Sequence, residues 1–266
     1  MKLENYDTIS KRVHAQLDRV TEIWKQALGE DLIGVYIHGS LALGAFREGV
    51  SDLDLLIVCR ERLTREKRLA LAEKIMEADQ RPCPLELSAI RLADLEPWRH
   101  PTRCQFHYSD FWTARYRRML SGEIGGHFLL DTDFEDPDIA CHVKLTRQSG
   151  VRLYGEAIDA VFPPVPEADF WQSIAADVQD YDFHAYEPRY FASNILIFGR
   201  VLSYKIERRI LSKYEAGVWT ASHVPEALRP VVLDALDAWY TGREMRETDP
   251  ARTEALKKYL IDAIEN

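Results

Sequence analysis

Two aspartates, Asp52 and Asp54, open the apolar run Leu55-Leu56-Ile57-Val58. Residues two apart on a β-strand project from the same face. The spacing predicts a strand over 52–59, with Leu53, Leu55 and Ile57 turned into a core and both carboxylates on the other face. Two carboxylates a few ångströms apart repel, and each raises the other's pKa unless a cation lies between them. Hard divalent ions such as Mg²⁺ take carboxylate oxygens and keep other positions for water or phosphate. Such a strand either leaves its acidic face to solvent or uses it to hold a cation.

The neighbouring segments favour the cation. Leu32 to Ile37 reads as a strand, and Gly39-Ser40 follows at the start of a short helix over 40–46. Free N–H groups and a hydroxyl at such a turn make a small anion cradle. The stretch PLELSAI, 84–90, alternates Leu85, Leu87 and Ala89 with Glu86, Ser88 and Ile90, as a strand does. Paired beside the 52–59 strand, it brings Glu86 to the face of the two aspartates. Cradle, metal carboxylates and a further acid on one sheet make a nucleotidyl-transfer site, in which a metal lowers the charge barrier. Glu86 is then placed to deprotonate an attacking hydroxyl. His38, beside the turn, reads as a packing or hydrogen-bonding residue rather than a ligand.

Apolar periodicity predicts helices over 5–29, 65–78 and 139–150. After Trp98 the pattern loosens, with a strand around 105–108 and a loop with three glycines over 121–138. The proline-rich VFPPVPEAD, 161–169, is an extended connector and marks the boundary. An α+β first domain, 1–158, is expected before an all-helical second domain, 159–266. Helices are expected over 170–181, 190–208, 228–240 and 251–264. Ser212 and Glu215 form a capping box. Lys213 stands at that helix start, where the macrodipole disfavours a cation, so a triphosphate partner is expected there. Arg200 lies in an apolar helix and needs a counter-charge, either an internal acid or phosphate.

The chain of 266 residues carries a net charge of −9. That total fits a small cationic partner better than nucleic acid, because like charges steer each other apart. No window approaches the ~20 apolar residues that span a bilayer, and the first residues lack a signal peptide's apolar core. A cytoplasmic monomer is expected. Cys59, Cys83, Cys104 and Cys141 lack metal-ligand spacing and read as free thiols.

The stretch GVYIHGSLALGAFREGVSDLDLLIV, 34–58, resembles the GS-then-DxD pattern of the nucleotidyltransferase superfamily. The wider chain resembles the aminoglycoside 3''-adenylyltransferases, which modify streptomycin and spectinomycin. The stretches that carry this are PLELSAI, PWRHP, DPDIACHVKLTRQSGVRLYG, VFPPVP and RVLSYKIERRILSKYEAGVWTASHVPEALRPVV. The resemblance implies a polymerase-beta-like α+β nucleotidyltransferase domain and an all-α C-terminal helical bundle. It implies ATP as co-substrate, two Mg²⁺ ions, and AMP transfer to a drug hydroxyl with release of pyrophosphate. Gly39, Ser40 and Ser51 would bind phosphate, Asp52 and Asp54 would hold Mg²⁺ together with Glu86, and Glu86 would be the base. Arg200 and Lys213 would meet the triphosphate, and Tyr240 would pack on the nucleotide. Trp112, Asp182 and Glu187 would contact the drug, and Ser193 or Asn194 would take the role of a family asparagine. Two other readings stand beside this one. One is a nucleotidyltransferase with a protein or RNA acceptor, of toxin-antitoxin or regulatory type. The other is a nucleotide-binding module with a degraded site, against which the intact acidic trio argues.

Overall fold

The computed structural model describes residues 3–179, 188–246 and 249–266. They form two compact units, Lys2–Phe170 and Trp171–Asn266. The expected boundary after residue 158 lies upstream of that division. The first unit runs α1 (Lys11–Leu28), β1 (Leu32–Ile37), α2 (Gly39–Ala42), β2 (Leu53–Cys59), α3 (Arg65–Ala78), β3 (Leu85–Arg91) and α4 (Leu92–Leu95). It continues with β4 (Thr102–Cys104), β5 (Phe106–Tyr108), α5 (Asp110–Leu120), β6 (Phe134–Asp136), α6 (Asp138–Ser149), β7 (Val151–Gly155) and α7 (Ile158–Val161). Helix α8 (Glu167–Gln179) begins at its end.

Helix α1 starts later than its periodicity predicts. Asn5 and Thr8 hydrogen-bond to each other in a turn of their own. The Ser10 hydroxyl then caps the helix by accepting from the Val13 N–H. All six expected apolar positions, Val13, Leu17, Val20, Ile23, Trp24 and Leu28, are buried. They pack with α3 against one face of a five-stranded sheet of order β5-β3-β2-β1-β7.

Strand β1 is antiparallel to β2 and β7, β2 is parallel to β3, and β3 is antiparallel to β5. Leu53, Leu55 and Ile57 of β2 enter the α1–α3 core, as the alternation predicts. Leu56 and Val58 enter a second core with Tyr36, Ile90, and Ile139 and Val143 of α6. The sheet is therefore covered on both faces, which is why the run after Asp54 is apolar without alternation.

The expected loop over 121–138 is more ordered than its glycines imply. It holds a π-helical turn, His127–Asp131, and strand β6, which pairs with β4 in a small second sheet. Strands of three residues carry too little period for a sequence signal. Arg68 of α3 ties this segment down. Its guanidinium is 1% exposed, donates to the Thr132 carbonyl at 2.9 Å and pairs with Asp133.

The second unit contains α9 (Pro188–Glu207), α10 (Lys213–His223), α11 (Arg229–Thr241) and α12 (Pro250–Glu265). The capping box at Ser212 and Glu215 is formed on both sides. Helices α9, α10 and α11 meet at Gly217, where a Cβ would stand 2.8 Å from both Leu196 and Leu236. No described helix is long and apolar enough to cross a membrane.

Replacing Arg68 by alanine removes the buried partner of Asp133, which keeps only the exposed Arg62 at 3.1 Å. Because Asp133 retains a second cation, the cost is that of the lost charged hydrogen bonds, about 1.5–3 kcal/mol. Urea unfolding of Arg68→Ala is expected to show a loss of that size; a change within the scatter of surface substitutions would contradict it.

Candidate active site

The register of β2 against β3 sets Asp54 directly beside Glu86. Register partners in adjacent strands project from the same face. Both side chains are half-buried, at the rim of the face that α6 covers further along the sheet. Asp52 stands immediately before β2, where the Leu53 N–H bonds to the Pro84 carbonyl and fixes the strand's entry. Its charge acts on the thiol of Cys83, whose pKa is raised mainly by burial.

The turn after β1 closes on Asp54. The His38 N–H donates to the Asp54 carbonyl at 3.0 Å. The Ser40 N–H reaches Asp54 Oδ2 at 3.4 Å. Gly39 has φ +62°, and a Cβ there would overlap the Asp54 carboxylate. Glycine is required both for that backbone and for that approach. The Ser51 hydroxyl accepts from the Arg47 N–H at 3.1 Å, inside the 47–51 turn.

Among the described residues, no three His, Cys, Asp or Glu side chains gather as a ready metal cage. The donor chemistry nevertheless fits Mg²⁺. That ion binds through one or two carboxylates, waters and substrate phosphate oxygens, and needs no all-protein cage. Asp54 and Glu86, with Asp52 two residues earlier, supply hard oxygens of that kind.

A layer of three histidines lies on the same sheet face and was not legible as a group in the sequence. His38 is 3% exposed and stacks on His142 of α6, with ring centroids 4.5 Å apart. His107 of β5 shares a 2.9 Å hydrogen bond with Ser88. Burial pushes His38 well below its usual pKa and pushes His107 and His142 down to about 4. The layer is neutral at physiological pH, so it sets no cation against the carboxylates.

Trp112 lies on α5, which starts directly after β5 at the sheet edge beyond β3. Its ring stacks on Phe128, and the Arg115 guanidinium lies over both rings. In the second unit, Arg200 Nε donates to the Leu211 carbonyl at 3.0 Å, so its first partner is backbone rather than an acid. Lys213 Nζ donates to the Ser193 hydroxyl at 2.8 Å. Tyr240 packs on Tyr214 with centroids 5.6 Å apart. Asn194 is buried, and its Nδ2 has no hydrogen-bond partner among the described residues. Asp182 and Glu187 lie outside the described residues.

Two family models match the chain. A nucleotidyltransferase domain matches residues 17–100, and an aminoglycoside adenylyltransferase C-terminal domain matches residues 160–263. An aminoglycoside (3'') (9) adenylyltransferase of Klebsiella pneumoniae is 25% identical over 96% of this chain and 94% of its own. A spectinomycin 9-adenylyltransferase of Staphylococcus aureus is 25% identical over 97% of each. A solved structure shares the fold, with a TM-score of 0.81 over 95% of this chain and 99% of the other at 22% identity. It is the spectinomycin adenyltransferase AAD(9) from Enterococcus faecialis, crystallised with ATP and spectinomycin.

Two outcomes follow from this geometry. Gly39→Ala is expected to displace the Asp54 carboxylate and lower turnover by about a hundredfold, since small misplacements at a reacting centre are that costly. Near-normal turnover at saturating substrate would contradict the assigned close approach. The second outcome concerns pH. Between pH 6.5 and about 4, an unfolded chain protonates His142 and the folded one does not, so stability falls as pH is lowered through that window. Asp136, pushed up to about 6 chiefly by burial and then by the Asp138 charge, acts in the opposite sense and stays in place. His142→Gln is therefore expected to flatten the fall of the urea midpoint between pH 7 and 5; an unchanged slope would contradict a buried neutral His142.

Proposed function

The chain belongs to the aminoglycoside adenylyltransferase family of nucleotidyltransferases, and on that premise we propose that it transfers AMP from ATP to a drug hydroxyl. The acceptor is an aminoglycoside or aminocyclitol such as streptomycin or spectinomycin, and pyrophosphate is released. The observation that carries this reading is the Asp54–Glu86 pair, side by side under the Gly39-Ser40 turn.

The N–H groups and hydroxyl of Gly39 and Ser40, with Ser51 close in sequence, cradle phosphate oxygens. Asp52 and Asp54 hold Mg²⁺, with Glu86 as a third oxygen donor. Bound Mg²⁺ supplies charge neutralisation on the triphosphate. Glu86 accepts the proton of the attacking acceptor hydroxyl on a carboxylate oxygen. Arg200 and Lys213 bind triphosphate oxygens, and Lys213 exchanges its Ser193 hydroxyl for one of them. Tyr240 stacks on the base. Trp112 offers an aromatic face to the acceptor, and Asp182 and Glu187 offer charges to its ammonium groups. The net charge of −9 favours approach of such a cation. The protein works in the cytoplasm as a monomer.

Incubation with ATP, Mg²⁺ and a panel of aminoglycosides and aminocyclitols, read by mass spectrometry, tests the assignment. An adduct of AMP mass on at least one drug is expected. A label passing from ATP to protein or RNA in a lysate, with no drug adduct, would overturn the drug acceptor. In the same assay Glu86→Gln is expected to lower kcat about 10²–10⁴-fold, the range of a lost general base. Unimpaired turnover in that variant would remove Glu86 from the mechanism.

A further inference from the structure

Residues 38–40 hold Asp54 from the β1 side. One N–H of this segment bonds the Asp54 carbonyl, the next residue lies flat on its carboxylate, and the N–H after that reaches Oδ2. All three contacts come from one short stretch of backbone. Their accuracy depends on what holds that stretch in place. Gly39 is the most permissive residue in the chain's repertoire, and α2 behind it has only four residues.

Leu41 seats the far end of the segment in the α1–α3 core, and the near end is anchored by His38. Its backbone continues β1 in extended geometry, φ −132° and ψ −152°. Opposite residues of an antiparallel pair share a face, so its ring falls on the Asp54 side of the sheet. There it is buried against the ring of His142, with an interplanar angle of 28°. His142 in turn is carried by α6, whose Ile139 and Val143 are fully buried in the second core with Tyr36, Leu56 and Ile90. The stack thus joins a firmly seated helix to the backbone segment that meets Asp54 from the β1 side.

We propose that the His38–His142 stack is the positioning device for Asp54. His38 and His142 touch no reacting atom; they act through residues 38–40 on the carboxylate. This rests on the adenylyl-transfer reading above. Independent support comes from His142 itself. Its Nδ1 is buried with no hydrogen-bond partner among the described residues. A buried polar atom left unmet is destabilising, and an apolar residue of similar size relieves it. Stability alone therefore disfavours histidine at position 142, whereas an orienting flat ring favours it over leucine.

The two requirements separate in the test. His142→Leu keeps apolar volume but removes the ring, and His142→Phe keeps the ring and removes the unmet nitrogen. His142→Leu is expected to hold the wild-type Tm or exceed it, yet to lower kcat by about tenfold to a hundredfold, as a displaced group at the reacting centre does. Its acceptor KM is expected to stay within about twofold of wild type, because the loss lies at the reacting centre. His142→Phe is expected to restore kcat. Calorimetry gives a readout apart from turnover: ATP affinity of His142→Leu should weaken in Mg²⁺ and match wild type in EDTA. Wild-type kcat and Mg²⁺-dependent affinity in His142→Leu would overturn the proposal, as would a Phe variant no better than Leu. Should the wild-type protein modify no acceptor, the adenylyl-transfer reading fails, and the Mg²⁺-dependent ATP affinities still decide the role of the stack.

Discussion

The parallel register between β2 and β3 is the constraint on which the site depends. It sets Asp54 against Glu86 and, in the same rows, Leu55 against Leu87 and Leu56 against Ser88. A slip of one residue would turn the acids into the α1–α3 core and put leucines at the rim. Burial on both faces makes that slip costly, because each strand has large apolar groups committed to each side. The acids therefore owe their proximity to hydrophobic packing rather than to each other, which is how two like charges come to share one rim.

Local periodic signals carried most of what was legible. The alternation around Asp54 and Glu86 needs only period two, and both strands, their order of faces and the α+β class follow from it. The Ser212–Glu215 capping box was legible for the same reason, since its partners are three residues apart. The features that escaped depend on distant partners. Strand β6 has three residues and is defined by β4, far upstream. Strand β7 closes the β1 edge, and nothing in its own composition identifies that neighbour. The histidine layer draws on β1, β5 and α6, so no local window contains it. The need for glycine at position 39 was legible only as a turn; the reason, close approach to Asp54, required coordinates.

Charge is divided between the two units in a way that matches their expected tasks. In the first, half-buried carboxylates lie at the edge of a histidine layer that burial keeps neutral, so the layer itself sets no cation against them. In the second, Arg200 and Lys213 are held by a backbone carbonyl and a hydroxyl. The carbonyl partner of Arg200 orients the guanidinium without cancelling its charge. The layer carries an unmet polar nitrogen, a local conflict of the kind that concentrates at working sites.

Coupling between Asp54 and Glu86 in a double-mutant cycle on kcat/KM tests the central claim most directly. Groups that act as one unit are strongly non-additive, so the account predicts that Asp54→Asn combined with Glu86→Gln is scarcely worse than the worse single variant. Losses that multiply, as for two independent residues, would contradict a shared site built by the β2–β3 register.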